Sequence, residues 1–257
     1  MTVTVSREGA VAVVTIDRPR RRNALDAVTK KALRAALVSV AEAPDVRAVV
    51  LTGAGGSFCG GQDLAEHAAA LAADASHAFD TVEADYAPIV TALATMPKPV
   101  IAAVSGTCVG AGLALALACD LRVFADDAVL STAFTAIGLT CDSGLSLTLT
   151  RSVGESRAKE LLLLGSSFSP AEAVSWGVAG SVVPGSEVLS EASSLAGRLA
   201  AGPTRAYAET KSLVNSALLA EVLHREALAQ ARLGLSHDHP AAVSAFLAKE
   251  RPSFEGR

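Results

Sequence analysis

Two stretches of the chain could present bare backbone N–H groups for chemistry: "GAGGSFCGGQDL" over 53–64 and "VGAGLALALACD" over 109–120. Each follows an apolar, strand-like run and is expected to open a helix, and free N–H groups at a helix N-terminus attract negative charge. Two such donors aimed at one oxygen form an oxyanion hole, which favours formation of an enolate from a thioester or of a tetrahedral intermediate. Taken singly, each stretch is better explained as a tight turn that packs closely on a neighbour.

The first stretch does not match the motifs that hold nucleotides. Gly53 and Gly55 follow a strand as in a dinucleotide fingerprint, but Phe58 stands where the third glycine is required. No Lys-Ser or Lys-Thr pair follows, so the pattern of a phosphate-binding loop is missing as well.

The composition indicates a protein that can bury a large core. The chain has 257 residues, of which 51% are hydrophobic and 19% charged, and a net charge of −4 gives no electrostatic case for nucleic acid or an acidic membrane. The four cysteines form no C-x-x-C pair, and "HDHP" at 237–240 is interpreted as a solvated helix boundary rather than a metal site. Neither a secretory leader nor an apolar run of membrane-spanning length is recognisable, so we expect a cytoplasmic protein.

The elements that would position these stretches alternate between strands and helices in the first part of the chain. Four apolar runs predict strands at 10–17, 46–53, 99–106 and 120–127. Asp26 is the expected N-cap of a helix that ends near Ala41, and a helical pattern covers 76–95.

Beyond residue 144 the pattern becomes mostly helical, with one long helix predicted over 203–236. The turn around Ala201-Gly202-Pro203 is the best candidate for a boundary. We therefore divide the chain into a core over 1–200 and a C-terminal helical region over 201–257.

Several motifs in order give the chain a family resemblance. The stretches are "VTIDRPRRRNALD", "GGSFCGGQDL", "MPKPVIAAVSGTCVGAGLALALACDLRVF", "AFTAIGLTCDSGLSLTLTRSVG" and "SAFLAKERPSF". Together they resemble the crotonase (enoyl-CoA hydratase/isomerase) superfamily over nearly the whole chain. The resemblance implies an α/β fold, a spiral of ββα units with a C-terminal helical region used for trimerisation, assembled as a homotrimer or a dimer of trimers. It also implies an acyl-CoA thioester substrate, with coenzyme A as part of that substrate and no metal or separate cofactor.

The resemblance assigns roles to particular residues. The backbone N–H groups of Cys59 and Ala111 would hold the thioester oxygen. The residues that would approach coenzyme A are Arg21, Arg22, Ala24, Phe246 and Lys249. For the arginines a solubilising loop is an equally good explanation, and a core phenylalanine and a surface lysine remain alternatives at the C-terminal pair.

The sequence departs from the family's hydratases at both catalytic glutamates. Ala114 and Phe134 occupy those positions, and neither side chain can transfer a proton. Asp142, in "GLTCDSGLS", is the carboxylate that remains in this region. Some isomerases of the superfamily carry an aspartate at this place, and the likeness is greatest to the branch of 1,2-epoxyphenylacetyl-CoA isomerases.

One carboxylate suffices for isomerisation, because it can remove a proton at one carbon and return it at another. An acyl pocket lined by Ala114, Phe134 and Leu139 would raise the pKa of Asp142 toward useful values. The alternative is that Asp142 only caps a helix starting near Ser143. We expect an acyl-CoA isomerase, and two other functions stay open: a hydratase with a non-standard acid and base, and an acyl-CoA-binding protein without turnover.

Overall fold

The computed structural model describes residues 1–215 and 217–256. Its strands are β1 (Val3–Glu8), β2 (Val11–Ile16), β3 (Ala48–Gly53), β4 (Val100–Val104), β5 (Thr107–Val109), β6 (Leu121–Ala125), β7 (Val129–Ser131) and β8 (Ser181–Val183). Its α-helices are α1 (Ala27–Glu42), α2 (Leu64–Asp74), α3 (Ala87–Thr95), α4 (Ala111–Ala118), α5 (Leu145–Val153), α6 (Glu155–Leu164), α7 (Pro170–Ser175), α8 (Val188–Ala201), α9 (Thr204–Val214), α10 (Leu219–Gly234) and α11 (Asp238–Ala248).

A six-stranded sheet in the order β1-β2-β3-β4-β6-β8 forms the centre, and a small parallel sheet of β5 and β7 lies beside it. Only β1 and β2 pair antiparallel in the large sheet. Alternate residues of β3 face opposite layers: Val49 and Leu51 join the main core, while Val50 packs in a second cluster with Ala192 and Ala196 of α8. The expected α/β fold with a C-terminal helical region is confirmed. Burial on both faces explains why the parallel strands read as continuous apolar runs.

The N-termini of α1 and α2 are linked by the side chain of Arg18 beside the carboxyl end of β2. Asp26 Oδ1 accepts a hydrogen bond from Thr29 N at 2.8 Å, which confirms its predicted role as the N-cap of α1. Asp63 Oδ1 likewise accepts from the N–H of Glu66 in α2 at 3.4 Å. Arg18 Nη2 lies 2.8 Å from Asp26 Oδ2 and 3.1 Å from Asp63 Oδ2. The loop after β2 therefore lies against the loop after β3.

Two of the predicted helices differ in the structure. The pattern over 76–95 becomes a π-helical turn at Val82–Tyr86 followed by α3, because Pro88 has no N–H for an α-helical bond. The single helix predicted over 203–236 is two helices, α9 and α10. Asn215 leaves the helical path with ψ 139° and donates from its side chain to Ala94 O.

Within the described ranges, no helix combines the length and the apolar character required to cross a bilayer.

Candidate active site

A cavity of about 190 Å³ lies where the carboxyl ends of the parallel strands meet. Its wall is mainly apolar and aromatic, with these residues among its members: Phe79, Tyr86, Phe134, Ile137, Leu139 and Phe246. Asp142 lies in the same wall and is only 7% exposed. The cavity thus joins an apolar chamber to one buried carboxyl group.

The carboxyl group of Asp142 is held by two side chains. Ser143 Oγ donates to its Oδ1 at 2.7 Å, and Gln230 Nε2 donates to its Oδ2 at 2.9 Å. Burial raises the pKa of Asp142 to about 6, while both hydrogen bonds and the more distant Lys30 ammonium oppose that rise. A carboxyl group in this state can take up and release a proton near neutral pH.

The N-terminus of α5 is capped by Glu226 and not by Asp142. Glu226 Oε2 accepts from Gly144 N at 2.6 Å, and its Oε1 accepts from Ser146 N at 3.0 Å. No described backbone N–H donates to the carboxylate of Asp142, so the alternative of a helix cap is wrong for Asp142. Burial raises the pKa of Glu226 to about 7.

The expected donor at Cys59 is already used in strand pairing. Its N–H donates to Thr107 O at 3.0 Å, and its carbonyl accepts from Val109 N at 3.1 Å. This pairing is a parallel β-bridge between Cys59 and Cys108, and it uses the N–H group of Cys59. The assignment of Cys59 to the oxyanion hole is therefore contradicted. Burial also raises the pKa of the Cys59 thiol to about 12, which leaves it neutral.

Two other backbone N–H groups are free beside the cavity. Those of Gln62 and Ala111 have no acceptor among the described residues, and both residues line the cavity. They are brought together by Gly61, which has a φ of +82°. A Cβ at Gly61 would lie 3.0 Å from Val109 O and 3.5 Å from Ala111 N, so only glycine lets the two loops approach this closely. At the cavity the two backbone N–H groups that are free to bind an oxygen are therefore those of Gln62 and Ala111, and not that of Cys59.

Asn23 fixes the first of these loops, and sequence analysis missed it. Its fully buried side chain donates from Nδ2 to Ala54 O at 2.9 Å and to Ser57 O at 2.6 Å. Gly60 N donates to Arg22 O at 2.8 Å. These bonds attach the loop of residues 17–25 to the loop that carries Gln62.

The residues predicted to approach coenzyme A lie at the surface around this region. Arg21, Arg22 and Lys249 are exposed, and Ala24 is half-buried beside Gly60. Phe246 of α11 is 57% exposed and also lines the cavity, so it lies at its mouth.

Of the three residues predicted for the acyl pocket, two line the cavity. Phe134 and Leu139 belong to its wall. Ala114 is fully buried inside α4 and is not among the lining residues.

One histidine also differs from the expectation. His239, from the "HDHP" segment, is fully buried rather than solvated, and its Nε2 lies 2.8 Å from His67 Nε2. His239 Nδ1 donates to Ile137 O at 2.6 Å, which assigns the Nε2 proton to His67. Burial lowers the pKa of both, that of His67 to about 4, so the pair is neutral and joins α11 to the cavity wall. Among the described residues, no group of three His, Cys, Asp or Glu side chains is arranged for a metal ion.

The periodicity of the helices could have identified several site residues that the sequence analysis did not predict. Glu226 and Gln230 lie on the buried face of α10 with Leu223 and Ala227, and Lys30 lies on the buried face of α1 with Leu33. Polar side chains at apolar positions are seldom tolerated unless they have specific partners.

Comparison with known proteins places the chain among enzymes of acyl-CoA chemistry. The family model for enoyl-CoA hydratase/isomerase matches residues 6–257. The chain is 38% identical over 253 residues to the 1,2-epoxyphenylacetyl-CoA isomerase of Escherichia coli strain K12, covering 97% of each chain. Among solved structures, an enoyl-CoA hydratase from Mycobacterium avium subsp. paratuberculosis K-10 superposes with a TM-score of 0.88 at 32% identity, with 99% of each chain covered. An enoyl-CoA hydratase/isomerase from Pseudoalteromonas atlantica T6c gives a TM-score of 0.85 at 26% identity, over 99% of this chain and all of that one. The chain belongs to the enoyl-CoA hydratase/isomerase, or crotonase, family.

Proposed function

We propose that this member of the family is an acyl-CoA isomerase in which Asp142 is the single acid and base. The carboxylate removes a proton from one carbon of the acyl chain, and the resulting carboxylic acid returns it to another. The N–H groups of Gln62 and Ala111 stabilise the negative charge on the thioester oxygen of the intermediate enolate. The observation that carries the proposal is the juxtaposition in one cavity of free N–H groups and a single buried carboxyl group.

The environment of Asp142 suits both halves of this transfer. With a pKa of about 6, the group is mainly ionised at neutral pH and is still a competent acid once it has taken a proton. Ala111 is the first residue of α4, so the positive end of the helix dipole adds to the stabilisation of an enolate.

Among the described residues that line the cavity, Asp142 is the only carboxyl group, and this favours isomerisation over hydration. Hydration requires a base for the water and an acid for the α-carbon, but Ala114 and Phe134 occupy the positions of the family's two glutamates. His67 is committed to His239 and neutral. The aromatic walls formed by Phe79 and Phe134 favour an unsaturated or ring-derived acyl group, in line with the similarity to the 1,2-epoxyphenylacetyl-CoA isomerase of Escherichia coli.

The surface around the cavity mouth supports the coenzyme A assignment. Arg21, Arg22 and Lys249 offer cations for the phosphates, and Phe246 offers an apolar surface at the entrance. The proposed assembly is a homotrimer or a dimer of trimers. Exposed apolar side chains of α9, such as Leu213 and Val214, offer a surface for contacts between copies.

Three assays separate the proposed activity from its alternatives. Incubation of β,γ-unsaturated acyl-CoA esters in deuterium oxide should give conjugated product and exchange at the α- and γ-carbons. Crotonyl-CoA should keep its conjugated absorbance, because hydration would remove it. Tight binding without any exchange would instead indicate a protein that binds acyl-CoA without turnover.

A further inference from the structure

The carboxamide of Gln62 is fixed by two donors behind the cavity wall. Its Oε1 accepts from Lys30 Nζ at 3.2 Å and from Tyr86 Oη at 2.6 Å. An ammonium group can only donate, so the oxygen of the amide must face Lys30 and the nitrogen must face away. The orientation of the side chain is therefore determined by the network.

The amide nitrogen of Gln62 is left with free donors. Gln62 Nε2 has no acceptor among the described residues, and it is not one of the buried, unpartnered side-chain atoms. Since Gln62 is half-buried and lines the cavity, we infer that these N–H groups are accessible to a molecule bound there. The neighbouring hydroxyls are committed: Tyr86 donates to Gln62, and Thr81 donates to Asp85 at 2.8 Å.

A buried cation strengthens these donors. Lys30 is 2% exposed, contacts Thr81 Oγ1 and lies 4.9 Å from the centre of the Tyr86 ring. Its hydrogen bond to Oε1 withdraws electron density through the amide, and hydrogen bonds in such a chain reinforce one another at low dielectric. Lys30 thus polarises the amide of Gln62 and makes its N–H groups stronger donors toward the cavity, while the ammonium group itself remains behind the cavity wall.

The geometry points to Gln62 as a specificity-determining residue that donates from Nε2 to a neutral oxygen on the acyl group, such as a hydroxyl or ketone oxygen. An acyl group without this oxygen would leave the donors unpaired in an apolar chamber, which is unfavourable. A carboxylate on the acyl group is disfavoured because Asp142 already places a negative charge there. This inference rests on the proposed function only in that the cavity receives the acyl group.

Binding of unreactive esters tests the inference without any turnover. We would measure by calorimetry the affinities of hexanoyl-CoA and of the hexanoyl-CoA esters with a hydroxyl on the fourth or the fifth carbon. The wild-type protein should bind at least one hydroxylated ester about tenfold or more tightly than hexanoyl-CoA, as expected for one hydrogen bond from a desolvated donor.

Two variants assign the preference to the amide nitrogen. Gln62→Met keeps the size and the backbone N–H but removes the donors, so it should bind the hydroxylated and plain esters with similar affinities. Tyr86→Phe, which removes one of the two bonds that hold the amide, should weaken the preference.

The inference is overturned if wild type binds hexanoyl-CoA with no preference for either hydroxylated ester, or if Gln62→Met retains the preference. Absence of binding for every CoA ester would be a different result, because it would remove the acyl-CoA site and with it the proposed function.

Discussion

Gln230 in α10 donates a hydrogen bond from Nε2 to Oδ2 of Asp142 at 2.9 Å, although the two residues are 88 positions apart in the sequence. The same amide nitrogen donates to Thr140 O at 2.8 Å. One helical turn earlier, Glu226 accepts from Gly144 N. α10 therefore holds the segment that carries Asp142 from both sides, and the C-terminal helical region helps to complete the active site.

Replacing Gln230 with methionine should move the pH dependence of the reaction. The donor stabilises the charged form of Asp142, so its removal raises a pKa that is already about 6. The base that starts the reaction must be ionised, and the acid limb of kcat/KM against pH should therefore shift to higher pH by about one unit. Ser143→Ala, which removes the donor to Oδ1, should shift the limb in the same direction. An unshifted profile with a uniformly lower rate would mean that Gln230 contributes only to folding.

Glu226→Gln should remove a pH dependence of stability. Burial raises the pKa of Glu226 to about 7 in the folded protein, from an ordinary value of 4.5. Because the folded state binds the proton more tightly, this group's contribution to stability is fully present below pH 4.5 and is lost as the pH rises through 7. The unfolding free energy of wild type, measured relative to that of Glu226→Gln, should therefore fall by about 3 kcal/mol from pH 4 to pH 8.

Urea unfolding of both proteins across that pH range measures this difference. Glu221→Gln, on an exposed part of α10, controls for the loss of one charge from the same helix. A difference that stays constant with pH would contradict the burial of a proton-binding carboxyl at Glu226.

Ala111→Pro tests the backbone donor at the start of α4. Proline is accommodated at the first position of a helix, so the variant should fold while lacking the N–H group. Loss of one oxyanion donor is expected to lower kcat by about a hundredfold to a thousandfold with a smaller effect on acyl-CoA binding. Ala111→Gly keeps the N–H and should retain most of the rate. Equal rates for the two variants would exclude Ala111 from the oxyanion hole.

Many of the strands and helices that position the site can be predicted from the local sequence. The strands β2, β3 and β4 are apolar runs because both faces of the sheet are covered, and Asp26 caps α1 through a bond to Thr29, three residues away. The placement of Asp142 in an apolar wall also agrees with the expectation.

Other features depend on partners that are distant in the chain. Which N–H of the first glycine-rich loop is free follows from the pairing of Cys59 with Thr107, and this pairing leaves no local signal. The cap of α5 comes from Glu226, 82 residues beyond Gly144. The break after α9 has neither glycine nor proline, because Asn215 ends the helix by bonding to Ala94 in another element.

The central claim is that Asp142 transfers the proton. The most direct test is to incubate the Asp142→Asn variant with a β,γ-unsaturated acyl-CoA in deuterium oxide and to measure deuterium exchange at the α-carbon. The substitution preserves the size of the side chain and leaves the N–H groups of Gln62 and Ala111 in place. The account predicts that exchange and isomerisation fall to background while the ester still binds with an affinity near that of wild type. Exchange at a rate close to wild type would contradict it and would transfer the proton chemistry to another group.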